Sequence, residues 1–136
     1  MLDIRNFLLA GKAIFTVVSK KSGVRFTYKV KKHDEKDLWF VSVLTGSDNN
    51  SSYSYLGTIF GDSGFRHTNK SRITPEAPSH KAFNWLFSMI KQNKPVEEFA
   101  EIHHEGRCGR CGRRLTVPES IESGFGPECI NHVMGR

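Results

Sequence analysis

Hydrophobic and polar positions alternate with a period of two through most of the first half of the chain. Between Val24 and Lys32, Val24, Phe26, Tyr28 and Val30 fall on one side and Arg25, Thr27, Lys29 and Lys31 on the other. Successive side chains of a strand point to opposite faces, so this is a half-buried strand with a basic outer face. The β-branched and aromatic run Ala13 to Ser19 predicts a strand before it, joined through the turn residues KKSG. Leu38 to Thr45 is apolar at both phases and reads as a central strand. GSDNNSS is a long turn, Tyr53 to Phe60 a fourth strand, and Phe65 to Thr68 a short edge. Ahead of the strands, Asp3 caps an amphipathic turn from Ile4 to Leu9 that Gly11 closes by taking a positive φ.

The period changes beyond the Pro- and Ser-rich connector NKSRITPEAPS. Phe83, Leu86, Phe87 and Ile90 stand at i, i+3, i+4 and i+7, predicting a helix over 79–92 with Ser79 as its cap and the apolar stripe on the sheet. Val96 to His103 suits a last extended segment. Pro118 and Pro127 each suit the first turn of a short helix. The expected fold class is α+β: a mostly antiparallel sheet with one packed helix in residues 1–102, then a treble-clef or ribbon-like zinc finger in residues 103–136.

Charge sharpens this picture. The chain carries 20 Lys and Arg against 14 Asp and Glu, a net charge of +6. Residues 1–74 hold twelve basic and six acidic residues, whereas 75–136 hold eight of each, so the whole excess lies in the first half. A one-sided positive field favours acidic partners such as nucleic acid. No run approaches the ~20 apolar residues of a membrane helix, and the first residues lack a basic, cleavable leader pattern; the expected location is cytoplasmic.

Three cysteines are an odd number for a disulfide scaffold and point to metal. Cys108 and Cys111 form a C-x2-C knuckle whose Gly109 and Gly112 permit the tight turn, and Cys129 follows within the spacing of a paired-knuckle zinc site. The fourth ligand of a tetrahedral ion is His104, before the knuckle, or His132, in C-x2-H spacing after Cys129. A redox pair is disfavoured because the C-x2-C opens no helix, and a catalytic zinc because no H-x-E or HExxH pattern supplies a base. The site is expected to be closed and structural.

The run CGRCGRRLTVPESIESGFGPEC resembles the C-terminal signature of an uncharacterised family of small phage and prophage proteins, which place a CxxCGRxLTxPxSIxxGxGPxC zinc motif similarly. FTVVSKKSGVRFTYKV, WFVSVLTG and YLGTIF resemble the β-rich part of the same proteins. The resemblance implies a phage setting, with a host-cell cytoplasm as location, and a histidine shortly before the first cysteine as ligand, which is His104 here. It implies no reaction.

Two functions fit these features. One is an accessory protein that binds nucleic acid or a nucleic-acid-handling complex, with Arg25, Lys29 and Lys31 on the strand face and Arg110, Arg113 and Arg114 on the finger contacting phosphates, and Trp39, Tyr53 and Tyr55 offering stacking surface. The other is a protein-binding inhibitor or adaptor acting on a host enzyme such as a defence nuclease. No enzyme is expected, and a small-molecule substrate is not expected either: there is no nucleophile elbow or phosphate loop, Asp62 and His67 are the only loop pair of interest, and His33, His67 and His80 read as surface imidazoles.

Overall fold

The computed structural model of the protein describes residues 3–46, 52–61, 63–116 and 118–133, the side chains of the last two excepted. In chain order the elements are α1 (Ile4–Leu8), β1 (Lys12–Ser19), β2 (Arg25–Lys32), β3 (Leu38–Leu44), β4 (Tyr53–Phe60), β5 (Gly64–Arg66), α2 (Pro78–Lys91), a 3-10 turn (Val96–Glu98), β6 (Ala100–His104), α3 (Pro118–Ser123) and α4 (Pro127–Val133). The long turn read after β3 falls mostly on residues outside the described ones, as does Asp62.

The six strands form one antiparallel sheet in the order β5-β4-β3-β2-β1-β6. Five strands run as a meander, each beside the strand that precedes it in the chain. The sixth joins from 80 residues downstream, on the free edge of β1, with Phe15 opposite His104 and Val17 opposite Ile102. This edge was not readable from the residues, because alternation gives a strand its faces and not its neighbours. Residue 102 lies within β6, so His103 and His104 still pair with Thr16 and Phe15.

One face of the sheet carries the core. Ala13, Phe15, Val17, Tyr28, Val30, Val41 and Val43 are buried there, beneath Phe83, Leu86 and Ile90 of α2. The Tyr28 ring meets Phe83 edge-on at 5.0 Å, and its hydroxyl donates to the Ser79 carbonyl at 2.7 Å. Ser79 is therefore inside α2 and is not its cap. Pro78 takes the first helical position, where its missing N–H is no loss, and Ala77 precedes it without a side-chain cap bond. Val24 is 52% exposed, because β2 begins one residue later and the hairpin tip overhangs the core.

The opposite face of the sheet is open. The β3 strand is central, as expected, yet its Phe40 is 41% exposed on that face. His80 corrects the surface reading of the histidines. It is 7% exposed, with its ring 5.0 Å from Phe65 and 5.9 Å from His67, because the first turn of α2 turns that residue inward onto β5. No described helix is long and apolar enough to cross a membrane.

Phe7 of α1 ties the C-terminal segment to the sheet. Fully buried, it contacts Phe15 at 6.4 Å, His104 at 5.7 Å and Phe125 at 5.8 Å between ring centroids. Cys108, Leu115, Phe125 and Cys129 thus belong to the same buried cluster as the sheet residues.

Candidate metal centre and the basic surface beside it

After β6 the chain makes a tight loop. Gly106 takes a φ of 77°, and Arg107 and Arg114 then pair as an isolated antiparallel bridge. Within that bridge the Cys108 N–H donates to the Arg113 carbonyl at 2.8 Å, and the Gly112 N–H returns to the Cys108 carbonyl at 2.9 Å. Gly112 has a φ of 80°, a conformation that a side chain resists. Gly109 is needed for a different reason: a Cβ there would stand 2.7 Å from the Phe7 ring. The glycines that follow each knuckle cysteine in sequence thus serve a close approach at Gly109 and a turn at Gly112.

The sulfurs of Cys108, Cys111 and Cys129 lie within 4.8 Å of one another, and they are the only such cluster of three among the described residues. Around a tetrahedral ion with Zn–S bonds of about 2.3 Å the sulfurs would be about 3.8 Å apart, so small side-chain adjustments close the set. Cys108 and Cys129 are buried, while Cys111 is the most exposed of the three. No disulfide joins them.

The electrostatics favour the thiolate at Cys108. Burial opposes ionisation of Cys108, but backbone N–H groups of Cys111, Gly126 and Arg110 aimed at its sulfur outweigh that and pull the thiol from 9.0 down to about 7. The Cys111 N–H lies 3.4 Å from that sulfur. Cys129 goes the other way: burial raises it, with the two neighbouring thiols adding to the rise, against the Arg110 guanidinium that donates to its sulfur at 3.4 Å. These are residues that can hold a soft divalent metal ion.

The two expected histidines stand differently. His104 Nδ1 accepts from the Gly106 N–H at 2.9 Å, leaving Nε2 to donate to the Ile121 carbonyl. Both ring nitrogens are thereby engaged with backbone groups, and His104 is not among the clustered donors. His132 lies three residues after Cys129 on α4, and its side chain is outside the described residues.

The finger arginines border the cluster. Arg110, Arg113 and Arg114 line a cleft of about 580 Å³ together with Cys111 and Cys129. On the sheet, Arg25 and Lys31 are exposed on the open face, whereas Lys29 is half-buried with its ammonium 4.3 Å from the centroid of the Tyr53 ring. Trp39 turns into the core and donates its indole N–H to the Leu9 carbonyl at 3.0 Å; Tyr55 is tied by its hydroxyl to Thr58 and Thr68. Of the three aromatic stacking candidates none is freely presented, and Phe40, unremarked in the sequence, is the exposed ring on that face among the described residues.

Lys12 was also missed. Its backbone N–H donates to the Gly109 carbonyl at 2.7 Å, and its side chain passes 3.6 Å from where a Cβ of Gly112 would be. Because Lys12 pairs with Lys31, the knuckle and the basic strand face adjoin at this point. The strand read from the sequence begins at Ala13, whereas β1 begins one residue earlier and carries Lys12 to the finger.

Comparison with known proteins places residues 99–133, the stretch from the start of β6 through α4, as similar to a family of unknown function (DUF6011). No curated protein and no solved structure matches the chain.

Proposed function

We propose that the protein is a zinc-ordered nucleic-acid-binding accessory module. Cys108, Cys111 and Cys129 hold a structural zinc in a treble-clef-like finger, which when bound neutralises three thiolates and orders the chain between β6 and α4. His104 completes the tetrahedron by releasing one of its backbone bonds, or His132 completes it from α4. The observation that carries the reading is the adjacency of Lys12 to the knuckle, which joins the cationic face of β1 and β2 to the arginine-lined cleft. Phosphate binding needs cations spread over a continuous surface, and counterion release then supplies most of the affinity. The resemblance to phage and prophage proteins supports an infected cell as the setting of this reading.

The test is binding to labelled nucleic acid over a range of salt. Binding that weakens linearly in log salt, with a shallower slope in Arg113→Glu, supports the reading; a protein that holds no nucleic acid at low salt overturns it.

A second reading, an adaptor or inhibitor docking on a host enzyme, is favoured by one observation. A groove of about 830 Å³ lies between the β1–β2 turn and α2, with Trp85 and Phe99 meeting edge-on at 6.3 Å and both exposed. Recovery of a protein partner that survives nuclease and salt would favour it.

A further inference from the structure

Strand register arranges one row of side chains across the open face. Lys12 pairs with Lys31, Lys31 with Phe40, Phe40 with Thr58, and Thr58 with Arg66, so five strands contribute one directly opposed residue each. Neighbouring strands are about 4.8 Å apart, which makes the row about 19 Å long. Lys12, Lys31, Phe40 and Arg66 are exposed, and Thr58 is covered by the Tyr55 hydroxyl at 2.5 Å. Every charged member of the row is cationic. Its Lys12 end touches the knuckle.

Resting on the nucleic-acid reading above, we propose that the ligand of this row is a single strand, with one base stacked on Phe40 and successive phosphates to one side of it on Lys31 and Lys12. A duplex keeps its bases paired edge to edge and stacked face to face, so it offers an exposed ring nothing to stack on, whereas an unpaired base has a free π-face. Phe40 has the required surroundings. It stands out of the sheet at 41% exposure with the His33 ring 6.0 Å from it, and a cation lies one strand away on the β2 side. His33 is held in place because its Nδ1 accepts from the N–H groups of Glu35 and Lys36, both at 3.0 Å. The fold leaves 41% of Phe40 uncovered beside the Lys31 cation. A stacked base with phosphates to one side of it satisfies both kinds of neighbour at once.

The test is fluorescence anisotropy of the full chain with a labelled oligothymidine, an oligouridine and a DNA duplex, comparing wild type, Phe40→Ala and Lys31→Ala at several salt concentrations. The expected result is tighter binding of the single strands than of the duplex. Phe40→Ala weakens the single strands about tenfold with an unchanged salt slope, and Lys31→Ala lowers that slope by about 0.7. Both variants alter exposed side chains, and an unshifted melting temperature verifies their fold. Equal affinity for duplex and single strand, or a Phe40→Ala protein that binds as wild type, overturns the inference and leaves the nucleic-acid reading standing. A wild type that binds none of the three overturns both.

Discussion

The first residue of β1 is hydrogen-bonded to the middle of the knuckle: the Lys12 N–H donates to the Gly109 carbonyl at 2.7 Å. Through this bond the turn that gathers two cysteines is fixed to the end of an inner strand in a sheet ordered by its own core. The same turn is pressed against α1, since Gly109 lies under the Phe7 ring.

Gly109→Ala tests that packing. Its Cβ would enter at 2.7 Å from the Phe7 ring and 3.3 Å from Phe125, rings that are both fully buried and cannot swing away. Overpacking of this kind costs about 1–3 kcal/mol. The expected outcome is a lower denaturant midpoint with an unchanged slope, measured by urea unfolding of the metal-loaded protein.

Metal affinity should follow pH in two regimes. The Cys129 thiol is raised above 9.0, chiefly by burial, so at pH 8 it is protonated in the metal-free protein and must give up its proton to bind. Cys108 titrates at about 7, so it is already largely a thiolate at pH 8 and adds one further released proton below 7. A plot of log affinity against pH should therefore steepen by about one proton on descending through 7. Chelator competition between pH 6 and 8 measures it, and a constant slope would contradict the assignment.

The buried His80 makes the sheet domain acid-sensitive. Its pKa lies below the usual 6.5, first because burial penalises the charged ring, then because of the charge of His67, with Glu76 opposing. A base whose folded pKa is depressed binds its proton more readily when unfolded, so its stabilising contribution is complete above 6.5 and is lost as the pH falls below it. Melting temperature should fall below pH 6.5, and His80→Phe, which suits the site beside Phe65 and Phe83, should flatten that fall. Equal pH profiles for variant and parent would refute the role.

Most of the sheet was legible because its signal is local. Val24 to Lys32 alternates cleanly, and Tyr28 and Val30 are buried while Arg25 and Lys31 are exposed. The three cysteines were legible as a cluster because C-x2-C spacing and two glycines force a turn, and they do lie together. Long-range pairing was not legible. The placement of β6 on β1, the meeting of Lys12 with the knuckle and the row through Phe40 all depend on which strands adjoin, and no periodicity encodes that. The reading of His80 failed for a related reason: the polar stretch around it gave no sign that the first turn of α2 would roll its ring onto Phe65.

The claim on which the rest depends is that Cys108, Cys111 and Cys129 hold zinc, and elemental analysis of the purified full chain tests it most directly. Wild type is expected to carry one equivalent, and Cys108→Ser, Cys111→Ser and Cys129→Ser to lose it, with His104→Ala and His132→Ala showing which imidazole takes part. A wild type free of metal after purification in zinc-supplemented medium, or a Cys108→Ser protein with undiminished zinc, would contradict the account.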